Sequence, residues 1–181
     1  MSSSSKVGVS AAVIVLAAVG GYWYLSPHIS LNAMRSAAIA KDADAFNDHV
    51  DYPKLREGLK GQMAAIVGEK IGSSSQSGVE SFGAALGMAL LGPMVDAFVR
   101  PEMVMRSMQD GKFQPRLGGE LSKSDGTSGK EVKWDIERKG MSKVIAYGQT
   151  SDSKDARPGF VFERYGFADW KLTEVRLPAS K

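Results

Sequence analysis

Hydrophobic positions fall along this chain in three regimes. Residues 7–25 run without a formal charge and are apolar all round, whereas a half-buried surface helix would keep a polar stripe. At about 1.5 Å per residue the stretch reaches about 28 Å as a helix, close to the ~30 Å hydrocarbon core of a bilayer. From about Ser30 to Gly111 apolar residues recur every three or four positions, the period of amphipathic helices. Beyond Gly111 the period drops to two, the mark of strands with one wet face.

In the helical regime, Ser26-Pro27 is expected to end the first helix, because proline disfavours a helical conformation in the residue before it. A second helix is expected from Ser30, with Leu31, Met34, Ala37, Ala38 and Ile39 on one face. Asp42 or Asp44 can cap a short helix that turns Ala45, Phe46 and Val50 inward. Asp51-Tyr52-Pro53 is a further start signal, a carboxylate beside a proline whose missing N–H costs nothing in a first turn. Leu55, Leu59, Met63, Ile66, Val67 and Ile71 then mark a long helix. Residues 72–78 read as a Gly/Ser connector. The apolar stretch 82–99 resembles a second span, but Pro93 and Asp96 count against it: a mid-membrane carboxylate costs about 2.5 to 3.5 kcal/mol on insertion scales. Two core helices are expected instead, 79–91 and 93–99, with Gly83 and Gly87 marking close packing. Pro101-Glu102 opens another that glycine closes at 111.

In the strand regime, Val132, Trp134 and Ile136 alternate with charged residues. Further strands are expected at 142–149 and 159–165, and a fourth after the turn 166–169. Trp170 and Leu172 share one face of that strand while Val175 and Leu177 are out of phase with them, which predicts a bulge near Thr173 or Glu174. Residues 113–117 offer an extra edge strand, weakened by Pro115. The fold class is therefore α+β: a transmembrane helix, then a helical layer packed on a four-stranded antiparallel meander. The expected organisation is a polar tail (1–6), a signal anchor (7–25) and one soluble domain (26–181), helical over 29–111 and sheet over 112–178.

Composition adjusts this picture in a few places. With 43% hydrophobic and 24% charged residues the chain is globular in composition. It has no cysteine, which excludes disulfides, thiolate catalysis and Cys-based metal centres. A net charge of +3 is too small to imply nucleic acid as a partner. Lys6 and the small residues Ala17, Ala18, Gly20 and Gly21 would also suit a cleavable signal peptide. Tyr22-Trp23-Tyr24 favours an uncleaved anchor, since such rings sit well at the headgroup level. The preferred orientation puts the N-terminus inside and the domain outside, in the periplasm of a bacterial inner membrane.

Ser26-Pro27, Asp42, Ala45-Phe46, Val50-Asp51-Tyr52-Pro53, Leu55-Arg56 and Leu59-Lys60 resemble the opening of a bacterial family of anchored proteins, domain of unknown function family 2939. Val95-Asp96, Val99 and Pro101-Glu102 resemble its middle element, and Asp169-Trp170-Lys171-Leu172 with Val175 and Leu177-Pro178 its closing strand. The resemblance implies an architecture and no activity. By analogy alone, helices leading into a curved antiparallel sheet are also similar to the cone-shaped nuclear-transport-factor-2-like domains.

Candidate chemistry is sparse. Asp42, Asp44, Asp48, His49 and Asp51 form the densest group of titratable side chains, but helix starts select the same residue types. With His28 the only other histidine, no metal site or cofactor is expected. Arg56, whose donor fork suits a carboxylate or phosphate, is a candidate ligand contact or a partner of Asp51. Gly126-Thr127-Ser128-Gly129-Lys130 lacks the phosphate-loop spacing, and Ser151 with Lys154 lacks companion motifs. Lys112, Arg116, Lys123, Lys130, Lys133, Arg138, Lys139 and Lys143 read first as a solvated face and second as a contact for anionic headgroups. Met88, Met94, Met103, Met105 and Met108 are core residues or the lining of an adaptable apolar pocket. The candidate ligand-binding set is thus Arg56, His49, Met88, Met94 and Met103. Two functions follow. The preferred one is a non-catalytic binding or assembly module of the cell envelope, with an envelope protein as partner. The other is a pocket protein, carrier or enzyme, for a lipid-like ligand, which would need Asp48 or His49 to point inward.

Overall fold

The computed structural model describes residues 3–73, 78–111, 133–148 and 157–177. Five helices precede four strands: α1 (Ser3–Ala40), α2 (Ala43–Asn47), α3 (Tyr52–Ser73), α4 (Gly78–Phe98), α5 (Pro101–Asp110), β1 (Trp134–Arg138), β2 (Lys143–Gly148), β3 (Gly159–Tyr165) and β4 (Asp169–Arg176). The strands form one antiparallel sheet in the order β1-β2-β3-β4, the meander that the alternating pattern predicts. The class is α+β. The expected edge strand at 113–117 lies outside the described residues, as does most of the connector at 72–78.

The break expected at Ser26-Pro27 does not occur, and α1 runs unbroken through Pro27. Proline removes the N–H that would have bonded the Trp23 carbonyl four residues back. The Ser26 hydroxyl donates to that carbonyl instead, at 2.8 Å, so the helix loses a donor without orphaning an acceptor. A similar correction applies to α4, expected as two helices but continuous through Pro93. Pro93 and Ala89, whose carbonyl loses its donor, both lie on the exposed side of α4, so the freed acceptor is not buried. Gly87, read as a close-packing position, faces open space.

The other helix ends follow their sequence signals. Asp42 caps α2 by accepting from the Ala45 amide at 3.1 Å, and Asp51 accepts from the Lys54 amide at 3.1 Å at the start of α3. Gly111 closes α5 in the left-handed conformation, with φ 62°. A side chain at Gly148 would strike the Gly111 backbone, so the end of β2 and the end of α5 meet through two glycines.

One core joins the layers. Leu31, Met34, Ala37 and Ala38 from the second half of α1, Phe46 and Val50, Leu55 and Leu59 of α3, Val95 and Val99, and Val104, Met105 and Met108 of α5 pack with Val144, Ala146, Phe160, Phe162, Trp170, Leu172 and Val175 of the sheet. The predicted bulge is at Thr173: Phe162 pairs with Leu172 and Val161 with Glu174, leaving Thr173 extra. Through that slip both Leu172 and Val175 reach the same core. The segment between α2 and α3 closes the β4 edge. The Leu172 N–H donates to the His49 carbonyl at 2.8 Å, and the Asp51 N–H donates to the Leu172 carbonyl at 2.9 Å.

Candidate functional site

The two halves of α1 have opposite characters. In the first, Val13, Ile14, Val15, Leu16 and Val19 are exposed, Leu16 at 71%, although all are strongly apolar. In the second, Leu31 and Met34 are buried in the domain. Among the described residues, one helix is long and apolar enough to cross a membrane, by length and composition. The junction between its halves is built from both the helix and the sheet.

At that junction the buried Ser26 hydroxyl, already bonded to the Trp23 carbonyl, accepts the indole N–H of Trp170 at 2.8 Å. Arg164 lies over the Trp23 ring at 3.9 Å and over Trp170 at 4.7 Å. Arg138 lies over the Tyr24 ring at 4.8 Å and donates to the Tyr24 carbonyl at 2.7 Å. A guanidinium stacks readily on aromatic faces, and the contact strengthens where water is excluded. Among the described residues neither arginine has a carboxylate partner. Nη1 of Arg138 and Nε and Nη2 of Arg164 are buried without a hydrogen bond. Burial first, and the neighbouring Arg138 charge second, hold the Arg164 guanidinium below its ordinary value. Two positive charges thus sit side by side where the apolar half of α1 enters the domain.

The signal for these two arginines lies in the strand alternation. Arg138 continues the phase of Trp134 and Ile136, and Arg164 that of Phe160 and Phe162. Both therefore project from the core face of the sheet, at its margin. Counting Arg138 among the residues of a solvated face misses that phase, and Arg164 carries no motif that would single it out.

The hairpin turns lie just beyond this pair. The β1–β2 turn holds Lys139, Gly140 and Met141, and the β3–β4 turn holds Gly166 and Phe167; both glycines have positive φ. Met141 is 71% and Phe167 58% exposed.

On the outer face of the same end, Glu163 binds Lys54 at 3.2 Å and Lys143 at 3.0 Å. The Tyr165 hydroxyl donates to Asp51 at 2.6 Å. Burial pushes the Asp51 carboxyl upward, but the Tyr165 hydroxyl, the Lys54 amide and the charges of Lys54 and Lys171 outweigh it and leave it below its ordinary value. Hydrogen bonding from Lys143 is the main cause that lowers Glu163, against burial and with help from Lys54.

The residues singled out from sequence are dispersed. Arg56 lies 3.5 Å from the Asp96 carboxylate, donates to the Val99 carbonyl at 3.4 Å and stands over the Tyr52 ring at 5.8 Å. It ties α3 to the end of α4, and the expected Asp51–Arg56 pair does not form. Burial and then the Glu102 charge, opposed by Arg56, push the Tyr52 hydroxyl up to about 12. His49 is half-buried, with Nδ1 unpartnered, while Asp48 is exposed at the end of α2. Met105 and Met108 fill the core, Met94 packs against it, Met103 is half-buried and Met88 is exposed. No hydrogen bond, ion pair or ring contact joins Arg56 to His49. No group of three or more His, Asp or Glu among the described residues can hold a metal ion.

No curated protein and no solved structure matches the chain. A family model, described as Protein of unknown function (DUF2939), matches residues 16–106. The match runs from the apolar half of α1 into α5, so the strands, with the Asp169-Trp170-Lys171-Leu172 motif, lie beyond it. Because it spans just over half of the 181 residues, the chain belongs to this family of proteins of unknown function.

Proposed function

We propose that the chain is a single-pass envelope protein of a bacterial inner membrane, a non-catalytic binding or assembly module whose domain faces the periplasm. The observation that carries this reading is the division of α1. Apolar side chains exposed all round one half have no partner in the domain, and a bilayer supplies one. The other half is built into the core, so the helix serves the fold as well as the membrane.

Binding is favoured over chemistry by where the side chains lie. Arg56, Asp51 and Glu163 are engaged in contacts that hold helices to one another and to the sheet. The middle of α4 instead exposes Leu86 and Leu90 on one side and Met88 on the other, apolar side chains suited to an envelope protein partner. Met88 then serves as contact surface rather than pocket lining.

Alkaline carbonate extraction of membranes, followed by protease treatment of intact spheroplasts, tests the reading. The full chain is expected to stay in the membrane pellet and the domain to be digested from outside. Release by carbonate would remove the anchor, and protection from protease would reverse the orientation.

A further inference from the structure

The domain end beside the apolar half of α1 can be traced through the contacts of that helix. Partners of α1 change from the helical layer to the sheet as its residue numbers fall. Gln109 of α5 donates to the Ala38 carbonyl, Trp170 to Ser26, and Arg164 stacks on Trp23. The sheet therefore meets α1 at the end of its apolar half, through the paired residues Arg164 and Trp170, and the two turns lie just beyond Arg138 and Arg164. Tyr24 is the penultimate residue of the apolar stretch 7–25, the level of the headgroups if that stretch crosses a bilayer. Arg138 touches its carbonyl, and Met141 lies three residues further on; Phe167 lies three beyond Arg164.

We propose that both hairpin tips dock on the bilayer surface, with Met141 and Phe167 entering the headgroup layer and the surrounding basic groups meeting anionic phospholipid phosphates. Arg138, Lys139, Lys143, Arg164, Lys171 and Lys54 line this end, against Glu137, Glu163, Asp169 and Asp51. The surplus is positive, and among the described residues the two arginines have no carboxylate of their own. Basic groups near an anionic membrane are attracted over about a Debye length. An exposed methionine and phenylalanine at two adjacent turns, each large and apolar, are buried at no conformational cost to the sheet. The occupant is fixed by continuity: the helix that carries the span is bonded to the same strand ends.

This proposal rests on the anchored reading, and one experiment separates the two. The chain has no cysteine, so V15C, L90C, M141C and F167C each give one labelling site. All four positions are well exposed, at 59%, 61%, 71% and 58%, which keeps the substitutions out of the core. The full chain carries an environment-sensitive fluorophore and is reconstituted in phosphatidylcholine vesicles, with and without phosphatidylglycerol, containing a spin-labelled lipid quencher. Leu90 serves as the distal reference. Gln62 binds Val175 and Leu177 at the opposite end of β4, and α4 runs back beside α3 from that side. Labels at 141 and 167 are expected to shift to the blue and lose most of their emission to the quencher, more so with phosphatidylglycerol, while the label at 90 stays water-accessible. Quenching at 141 and 167 no greater than at 90, or insensitive to lipid charge, overturns the proposal. If the label at 15 is quenched in that case, the anchor stands and only the docking fails; if it is not, both fail together.

Discussion

Ser26 joins three features that would otherwise conflict: a proline inside a helix, an apolar span and a buried indole. Its hydroxyl donates to the carbonyl that Pro27 leaves without a partner and accepts from Trp170. Replacing it by alanine strands a buried indole N–H, and leaving a buried donor unpaired costs about 1–3 kcal/mol. S26A is therefore expected to lower stability by that amount in urea unfolding of the detergent-solubilised chain. The double variant S26A/P27A separates the two bonds, since alanine in place of Pro27 restores an amide for the Trp23 carbonyl but does nothing for Trp170. Partial recovery is expected, and full recovery would show that the indole bond contributes nothing. At this scale the sequence reveals that Ser26-Pro27 is special but points to the wrong consequence. The rule that proline ends a helix holds only where the freed carbonyl finds no other donor, and the donor here is one residue away.

Elements show a different division between pattern and contact. Strand boundaries and the bulge at Thr173 were legible because each rests on a phase: Trp170 and Leu172 against Val175 and Leu177. The join between α3 and β3 was not, because it depends on residues more than a hundred positions apart. Asp51, foreseen as a cap, also accepts from Tyr165, while Lys54 reaches Glu163. These contacts give the join an acid dependence whose sign is fixed. Asp51 and Glu163 are both lowered from ordinary values of 3.8 and 4.5. Their contribution is complete above those values and is lost as pH falls through the lowered ones. Each exposed ion pair contributes only about 0–1 kcal/mol, so the effect is modest. Unfolding midpoints in urea are expected to fall as pH drops below about 4.5 and to go on falling through the lowered values of both groups. The decline should be shallower in Y165F, which removes the hydroxyl that favours ionised Asp51. An equal slope in both proteins would mean that the Tyr165 bond does not discriminate between the charged and neutral carboxyl.

For the whole molecule, the continuity of α1 changes what an anchor does. A span joined by a broken, flexible segment lets its domain tumble above the membrane. Here the 38 residues of α1, about 57 Å at 1.5 Å per residue, pass from an exposed apolar half into the core without a joint. Trp170, Arg138 and Arg164 grip the helix where a hinge would otherwise be. With the apolar half in a bilayer, as proposed, the tilt of the helix would set the attitude of the domain and keep the same hairpins toward the lipid. Sequence separated the span from the domain because apolar composition changes at Ser26-Pro27; the covalent helix does not change there. Hydrogen exchange of the full chain in vesicles distinguishes a rigid junction from a hinge. Amides of residues 28–38 are expected to exchange slowly, as a continuation of the protected span, because their opening must break the core contacts of Leu31 and Met34. A hinge would instead give a band of fast exchange at 24–30 between two slow segments. S26A supplies the internal comparison: loosening the grip of Trp170 should speed exchange at 26–30 before it affects 34–38. If the wild-type band is already fast, the domain is free to reorient, and contact between the hairpins and lipid would depend on their own affinity alone.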